Sequence, residues 1–298
     1  SFAFKGKSED VREIGRRLGA AHLLEGSVQQ SGDQVRISLQ LIRTSDGSHV
    51  WAQSYDRKLA DVFHIQDEIA AEVVKALQLA LPSAQKSRMD QTRSTNIDAY
   101  REYLRGIALL PNRQADQMRE AAGHFEKAIV IDPGYARAYV AASLAYVLLD
   151  QYSSITAGER ERMSRYVDRA LQLAPDLGEA HIARGGVLER AGRFDDAVKE
   201  YQRGVALAPG YATGHQWLGE LLQFWYGRSA DALREMDVAR SLDPLSPVIG
   251  NVRAFALATD GHVDEAMAII NAMRAIVITI SMVDAAFTSG VTEKRSIE

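Results

Sequence analysis

The feature that most constrains the fold of this chain is a series of evenly spaced prolines. Pro133, Pro175, Pro209 and Pro244 lie 42, 34 and 35 residues apart. A small residue stands five positions before each proline: Ala128, Ala170, Gly204 and Ala239. A bulkier apolar residue stands eight positions before each one: Phe125, Val167, Tyr201 and Met236. Because proline ends a helix and small residues let two helices approach closely, this spacing predicts stacked helix–turn–helix units of about 34 residues.

The repeat resembles the tetratricopeptide repeat family, whose units carry such residues at these positions. Gly185 and Gly219 occupy the small position of the first helix, and Tyr139, His181 and His215 stand where that family often has Trp. The resemblance covers about residues 97–274, in four to five units. It implies an α-solenoid in which the first helices of the units line a groove that binds a partner.

The first 82 residues have a different pattern. A helix is predicted over residues 8–19, with Ser8 as its N-cap, and a second one over Ile65–Leu77. Alternating apolar residues between them predict three strands, at 21–30, 35–42 and 48–55. We therefore expect a small α+β unit with an antiparallel meander, joined to a mainly α remainder.

This unit also resembles a known family, through the strings LLEGSVQQSGDQVRISLQLI and GSHVWAQSYDRKLADVF. They are similar to the TolB-like region of bacterial signalling proteins, over about residues 1–80. In that family the region commonly follows an effector domain, often a class III adenylate or guanylate cyclase and sometimes a winged-helix domain, and precedes tetratricopeptide repeats. The resemblance implies a segment of a longer regulator whose TolB-like unit is truncated at its N-terminus.

The expected organisation has four parts. A TolB-like α+β domain occupies residues 1–82 and a linker follows at 83–96. The repeat superhelix spans 97–274, and residues 275–298 form a tail that departs from the repeat pattern.

Composition and motifs argue against several functions. The formal net charge is −4, without the basic excess of a nucleic-acid-binding surface. The chain has no Cys, and its seven His show no metal-binding spacing, so we expect no cofactor and no metal. The triplet Gly6-Lys7-Ser8 lacks the upstream glycine of a phosphate-binding loop, because Ser1 stands there. The sequence has no G-x-S-x-G motif, and its carboxylate pairs fit solvated helix ends. We expect no enzyme activity in this segment and no membrane span.

The predicted partner-binding groove follows from repeat positions 2, 5, 9 and 12 of the first helices. Its residues are Arg137, Val140, Leu144, Glu179, Ile182, Glu189, Thr213, Gln216, Glu220 and Gln223. Phe224 joins them, because the aromatic run Phe224–Tyr226 covers too many sides of a helix to be buried in one seam. The groove is apolar at one end and polar to acidic at the other, which favours a partner segment with basic and apolar residues.

Two functions remain open. The first is a non-catalytic regulatory region that binds a peptide, a protein or a sister subunit in this groove. The alternative is a regulatory segment of a nucleotide cyclase that senses a small molecule in a repeat-lined pocket, with His181, His215 and Trp217 as the candidate lining. A cytoplasmic location is expected, and periplasmic exposure of a membrane-anchored parent is the open alternative.

Overall fold

A computed structural model describes residues 9–58, 61–77 and 94–271. The described part is mostly helical, with one small antiparallel sheet near its N-terminus, and this confirms the predicted fold class. The chain forms two compact units, Ser1–Pro209 and Gly210–Glu298. None of the described helices is long and apolar enough to cross a membrane.

The described residues begin with a short helix and a three-stranded meander. Helix α1 (Val11–Leu18) is followed by strands β1 (His22–Ser31), β2 (Gln34–Arg43) and β3 (His49–Lys58), and then by helix α2 (Val62–Ala76). The strands pair in the order β1-β2-β3, antiparallel throughout, and Gly32 makes the first turn with a φ of 58°. The predicted N-cap was wrong, because α1 is capped by Asp10, whose carboxylate accepts a hydrogen bond from the Arg12 backbone N–H at 2.8 Å.

One face of the sheet packs against α2. Val35, Ile37 and Tyr55 from the strands and Ile65 from α2 form a buried cluster, with Trp51 partly buried against it. The alternating pattern of β2 therefore turns its apolar side toward a helix, as a sheet with one covered face requires.

Helices arranged in consecutive pairs follow residue 94. In the unit Ser1–Pro209 they are α3 (Ile97–Leu109), α4 (Ala115–Ile131), α5 (Ala136–Tyr152), α6 (Ala157–Leu173), α7 (Gly178–Arg190) and α8 (Phe194–Leu207). In the unit Gly210–Glu298 they are α9 (Ala212–Phe224), α10 (Ser229–Leu242), α11 (Pro247–Thr259) and the helical residues 263–271, named α12. Helix α12 continues to the end of the described range. The pairs are α3/α4, α5/α6, α7/α8, α9/α10 and α11/α12.

The repeat register predicted from the prolines is confirmed. Ala128, Ala170 and Ala239 are fully buried, and a Cβ on Gly204 would meet the Ile182 side chain at 2.3 Å. The bulkier residues of the second helices fill gaps opposite glycines of the first helices in three pairs: Phe125 against Gly106, Tyr201 against Gly185, and Met236 against Gly219. The close approach of the two helices in each of these pairs therefore depends on glycine.

Several predictions concern residues that the structure does not describe. The tail 275–298, the Gly6-Lys7-Ser8 triplet and most of the linker 83–96 lie outside the described ranges. The domain limits at 82, 96 and 274 stay predictions.

Candidate functional site

The predicted groove residues divide by accessibility according to their repeat position. In the unit Ser1–Pro209, Arg137, Leu144, Glu179 and Glu189 are accessible or half-buried. In the unit Gly210–Glu298, Thr213 and Glu220 are half-buried, and Phe224 is exposed. We call these seven residues the first-helix row. They include Arg137, Glu179 and Thr213 at position 2 and Leu144 and Glu220 at position 9. These two positions lie two helical turns apart and so share one face of a helix.

Four predicted groove residues are buried inside the protein, and including them in an accessible row was wrong: Val140, Ile182, Gln216 and Gln223. Ile182 fills the space that Gly204 leaves open on α8. The Gln223 amide donates a hydrogen bond to Thr259 Oγ1 at 2.8 Å within its own unit. Val140 lies on α5, which is buried over most of its circumference. In α5, α7 and α9, position 5 thus belongs to helix packing, and the accessible row is narrower than the repeat pattern predicts.

Local bonds hold the carboxylates of the first-helix row. Glu179 lies 3.7 Å from Arg137 Nη2. Glu189 accepts a hydrogen bond from the Tyr201 hydroxyl at 2.8 Å, and Glu220 accepts one from the Gln216 amide at 2.8 Å. These side chains are therefore ordered before any partner arrives, which lowers the entropic cost of binding.

A pocket of about 150 Å³ lies where α2 meets the first helix pairs, inside the unit Ser1–Pro209. We call it the aromatic pocket. Its described lining consists of Phe63, Gln66, Ser94, Tyr100, Tyr103, Tyr135 and Arg137. Of these residues, only Arg137 was predicted as part of a site. The sequence does contain a signal for the two tyrosines of α3. If Gly106 is aligned with Gly185 and Gly219 at the small position of the first helix, Tyr100 and Tyr103 fall at repeat positions 2 and 5.

The aromatic rings of this pocket pack on one another. The Tyr103 ring centroid is 5.2 Å from that of Tyr135 and 5.7 Å from that of Phe125, and Phe63 meets Tyr100 edge-on at 5.2 Å. Burial raises the pKa of Tyr103 and of Tyr135, so both hydroxyls keep their proton at neutral pH.

The predicted histidine pocket is not accessible. His181, His215 and Trp217 are all buried. His181 Nδ1 lies 2.6 Å from Glu200 and its Nε2 lies 2.8 Å from the Pro175 carbonyl oxygen, while His215 Nδ1 lies 2.7 Å from Glu235. Each histidine thus joins the two helices of its own pair. The described residues contain no group of three or more side chains suited to hold a metal ion.

The helix pairs define a class of fold. Residues 178–221, from the start of α7 into α9, match the family model of the tetratricopeptide repeat. The crystal structure of TTC0263, a thermophilic tetratricopeptide repeat protein in Thermus thermophilus, has the same fold. It superposes with a TM-score of 0.50 at 15% identity and covers 65% of this chain and 99% of that one.

Two curated proteins are similar in sequence. A protein of Rhizobium meliloti (strain 1021), whose name proposes it as adenylate cyclase 3, is 30% identical over 199 residues, which are 66% of this chain and 34% of that protein. The cytochrome c-type biogenesis protein CycH of Bradyrhizobium diazoefficiens is 31% identical over 121 residues, which are 40% of this chain and 33% of that protein. The chain spans about a third of the length of the curated relatives it matches.

Proposed function

We propose that this chain is a non-catalytic protein-interaction module that binds a peptide segment of a partner along the part of the first-helix row that lies in the unit Ser1–Pro209. The observation that carries the proposal is that Arg137, Leu144 and Glu179 are accessible on helices α5 and α7, most of whose other residues are buried. A packed core needs no accessible row of this kind, and helical repeats commonly use such a face as a binding surface.

The chemistry of the row supports a partner segment that combines basic and apolar residues. Glu179 and Glu189 outnumber Arg137, and Leu144 supplies apolar contact. Opposite charges on a partner would speed association and fix its register, more than they would add affinity.

Random peptides displayed on phage and selected on the whole chain test this proposal. We expect the selected peptides to be rich in Lys, Arg and large apolar residues. The double variant Glu179→Gln with Glu189→Gln should weaken binding of a selected peptide about tenfold at low salt. The matched control, Glu120→Gln with Glu161→Gln, removes the same charge from exposed positions on the second helices α4 and α6 and should leave binding unchanged. Selected peptides without basic residues, or an equal loss in the control, would contradict the proposal.

The similarity to the R. meliloti protein supports a second proposal, about the longer protein. We infer that this chain is the regulatory segment of a cytoplasmic nucleotide-cyclase-type signalling protein, in which the sheet with α1 and α2 is the TolB-like unit. The test is to express the complete open reading frame in a cyclase-deficient bacterium, to measure cyclic AMP and cyclic GMP, and to fractionate the cells. If neither nucleotide forms, this proposal fails and the peptide-binding proposal is unaffected.

A further inference from the structure

The first strand of the meander lacks the features that normally protect the edge of a sheet. Among the described strands, β1 stands at one edge and β3 at the other. Strand β1 pairs with β2 without a register shift over its ten residues, and none of them is Lys, Arg or Pro. Strand β3 ends in Asp56, Arg57 and Lys58, and its pairing with β2 contains a register shift. Because charged side chains, bulges and prolines prevent an edge from pairing with another chain, the unprotected edge is that of β1.

The backbone groups of β1 alternate between the two sides of the strand. The Thr44 backbone N–H donates to the Ala21 carbonyl oxygen at 3.0 Å, which continues the β1–β2 ladder by one residue. In an antiparallel ladder, every second residue exchanges hydrogen bonds with the neighbouring strand. The odd-numbered residues of β1 therefore bond to β2. The even-numbered ones, which include Leu24, Gly26 and Val28, direct their N–H and C=O groups to the outer edge.

The side chains of these even-numbered residues extend the apolar face of the sheet onto β1. Leu24 is paired with Leu41 and Val28 with Ile37, so both lie on the face whose buried cluster packs against α2. Leu24 is nevertheless 47% exposed and Val28 is 69% exposed. A strand that presents apolar side chains and outward-directed backbone groups together is a surface to which another strand can be added.

The pattern of β1 is symmetric about Gly26, and this symmetry identifies the added strand. Two antiparallel copies of β1 centred on Gly26 place Leu24 of each copy opposite Val28 of the other. All of these residues direct their backbone groups outward, as the hydrogen-bonded pairs of an antiparallel ladder require. A patch that is complementary to itself in this way is what a dimer with twofold symmetry needs.

Charge and side-chain pairing favour this register over its neighbours. Glu25 is the only Asp, Glu, Lys or Arg of β1, and in the register centred on Gly26 it lies opposite Ser27. A centre at Glu25 would place two carboxylates directly opposite each other, which is destabilising. A centre at Ser27 would place Leu24 opposite the polar Gln30 and lose its apolar pair.

We propose that the outer edge of β1 binds a second copy of this chain. The two β1 strands pair antiparallel about Gly26 and join the two meanders into one continuous sheet, with Leu24 and Val28 forming two apolar pairs across the new contact. This goes beyond the proposed peptide binding, because the surface belongs to the meander and contains no residue of the first-helix row.

Sedimentation velocity of the whole chain over a range of concentrations tests the proposal. We expect a reversible equilibrium between monomer and dimer. Val28→Lys should weaken the dimer about tenfold, because each copy then places an ammonium group opposite Leu24 of the other. Gln53→Lys is the matched control. It adds the same charge to an exposed position on the same face of β3, at the other edge, and should dimerise as the wild type does.

A pair of opposite charges tests the register. Leu24→Glu alone should also weaken the dimer about tenfold. An equimolar mixture of the Val28→Lys and Leu24→Glu variants should restore dimerisation, because the introduced ammonium and carboxylate groups lie opposite each other in the mixed dimer. Circular dichroism checks that each variant is folded.

Three results would overturn the proposal. The wild type stays monomeric at every concentration, or the folded Val28→Lys variant dimerises as tightly as the Gln53→Lys control, or mixing the two charged variants does not restore the dimer. The peptide assay uses Glu179 and Glu189 on α7, which are not part of β1, so failure of this contact is distinguishable from failure of the proposed function.

Discussion

The ring of Tyr201 on α8 lies so close to Gly185 on α7 that a Cβ added at Gly185 would come within 2.4 Å of two ring atoms. Tyr201 is almost completely buried, and its hydroxyl donates to Glu189, so the ring cannot move aside. Glycine at this position is therefore a requirement of the helix pair, and the same contact recurs between Phe125 and Gly106.

We predict that Gly185→Ala destabilises the protein by about 1–3 kcal/mol, because the new methyl group overpacks the seam between α7 and α8. Gly123→Ala is the control. Gly123 lies inside α4 with no atom within 4 Å of an added Cβ, so alanine there should stabilise the helix by about 0.5–1 kcal/mol. Thermal unfolding followed by circular dichroism measures both. Equal midpoints for the two variants would contradict the packing argument.

Alkaline pH should destabilise the protein, because it removes protons from the tyrosine hydroxyls that bind Glu126. Glu126 Oε1 accepts hydrogen bonds from the hydroxyls of Tyr146 and Tyr166, at 3.0 and 2.9 Å. Burial, followed by the nearby Glu126 charge, raises the pKa of Tyr146 from 10.0 to about 12. Because the folded state holds this proton more tightly, the stabilisation is complete below pH 10 and is lost as pH rises through 12.

The measurement is the thermal midpoint across this range, compared with that of Tyr146→Phe. The variant loses a hydrogen bond and should be less stable at neutral pH by about 0.5–1.5 kcal/mol, but its midpoint should fall less steeply above about pH 10. Parallel curves for the two proteins would show that Tyr146 is not the group that titrates.

Acid pH should weaken the start of α6. Thr156 and Glu159 form a capping box: the Glu159 backbone N–H donates to Thr156 Oγ1, and the Thr156 backbone N–H donates to the Glu159 carboxylate at 2.7 Å. The backbone bond from Thr156 lowers the pKa of Glu159, so its contribution is present above pH 4.5 and is lost as pH falls through the lowered pKa. Thr156→Ala should cost about 1 kcal/mol at neutral pH. Thr95→Ala, at an exposed position before α3, should cost little, and an equal loss there would contradict the capping argument.

His181 and Glu200 should be coupled more strongly than an exposed ion pair. Their side chains are 5% and 28% exposed, and both nitrogens of the His181 ring are in hydrogen-bonding distance of an acceptor. A double-mutant cycle with His181→Ala and Glu200→Ala should give a coupling free energy of about 1–2 kcal/mol. The same cycle on Glu161 and Arg165, which are 71% and 63% exposed, should give a value close to zero. Similar coupling free energies for the two pairs would show that the bond between His181 and Glu200 does not hold α7 and α8 together more strongly than an exposed ion pair would.

The repeat register was predictable because it depends on local rules that the sequence records directly. Small residues at 128, 170, 204 and 239 face a neighbouring helix since only Ala or Gly fits there, and the prolines give the period. The strands of the meander were predictable for a similar reason, because β2 alternates with period 2.

The accessible surface was harder to predict than the core. A helical wheel gives the direction in which position 5 points, but it does not give the distance to the neighbouring helix. That distance decides whether Ile182 is accessible to a partner or fills the space that Gly204 leaves open, and it depends on residues of the other helix. The aromatic pocket was missed because Phe63 and Gln66 lie more than thirty residues before Tyr103, and no periodicity links a sheet-covering helix to a repeat.

The position of α2 has a mechanical consequence. Ile65 and Ile69 of this helix pack on the sheet, and Phe63 and Gln66 line the aromatic pocket against α3. Pulling the meander away from the first repeat would therefore have to separate the Phe63 and Tyr100 rings and open this space to water. The force that the junction withstands is thus set in part by contacts between aromatic rings, which break together once α2 begins to move.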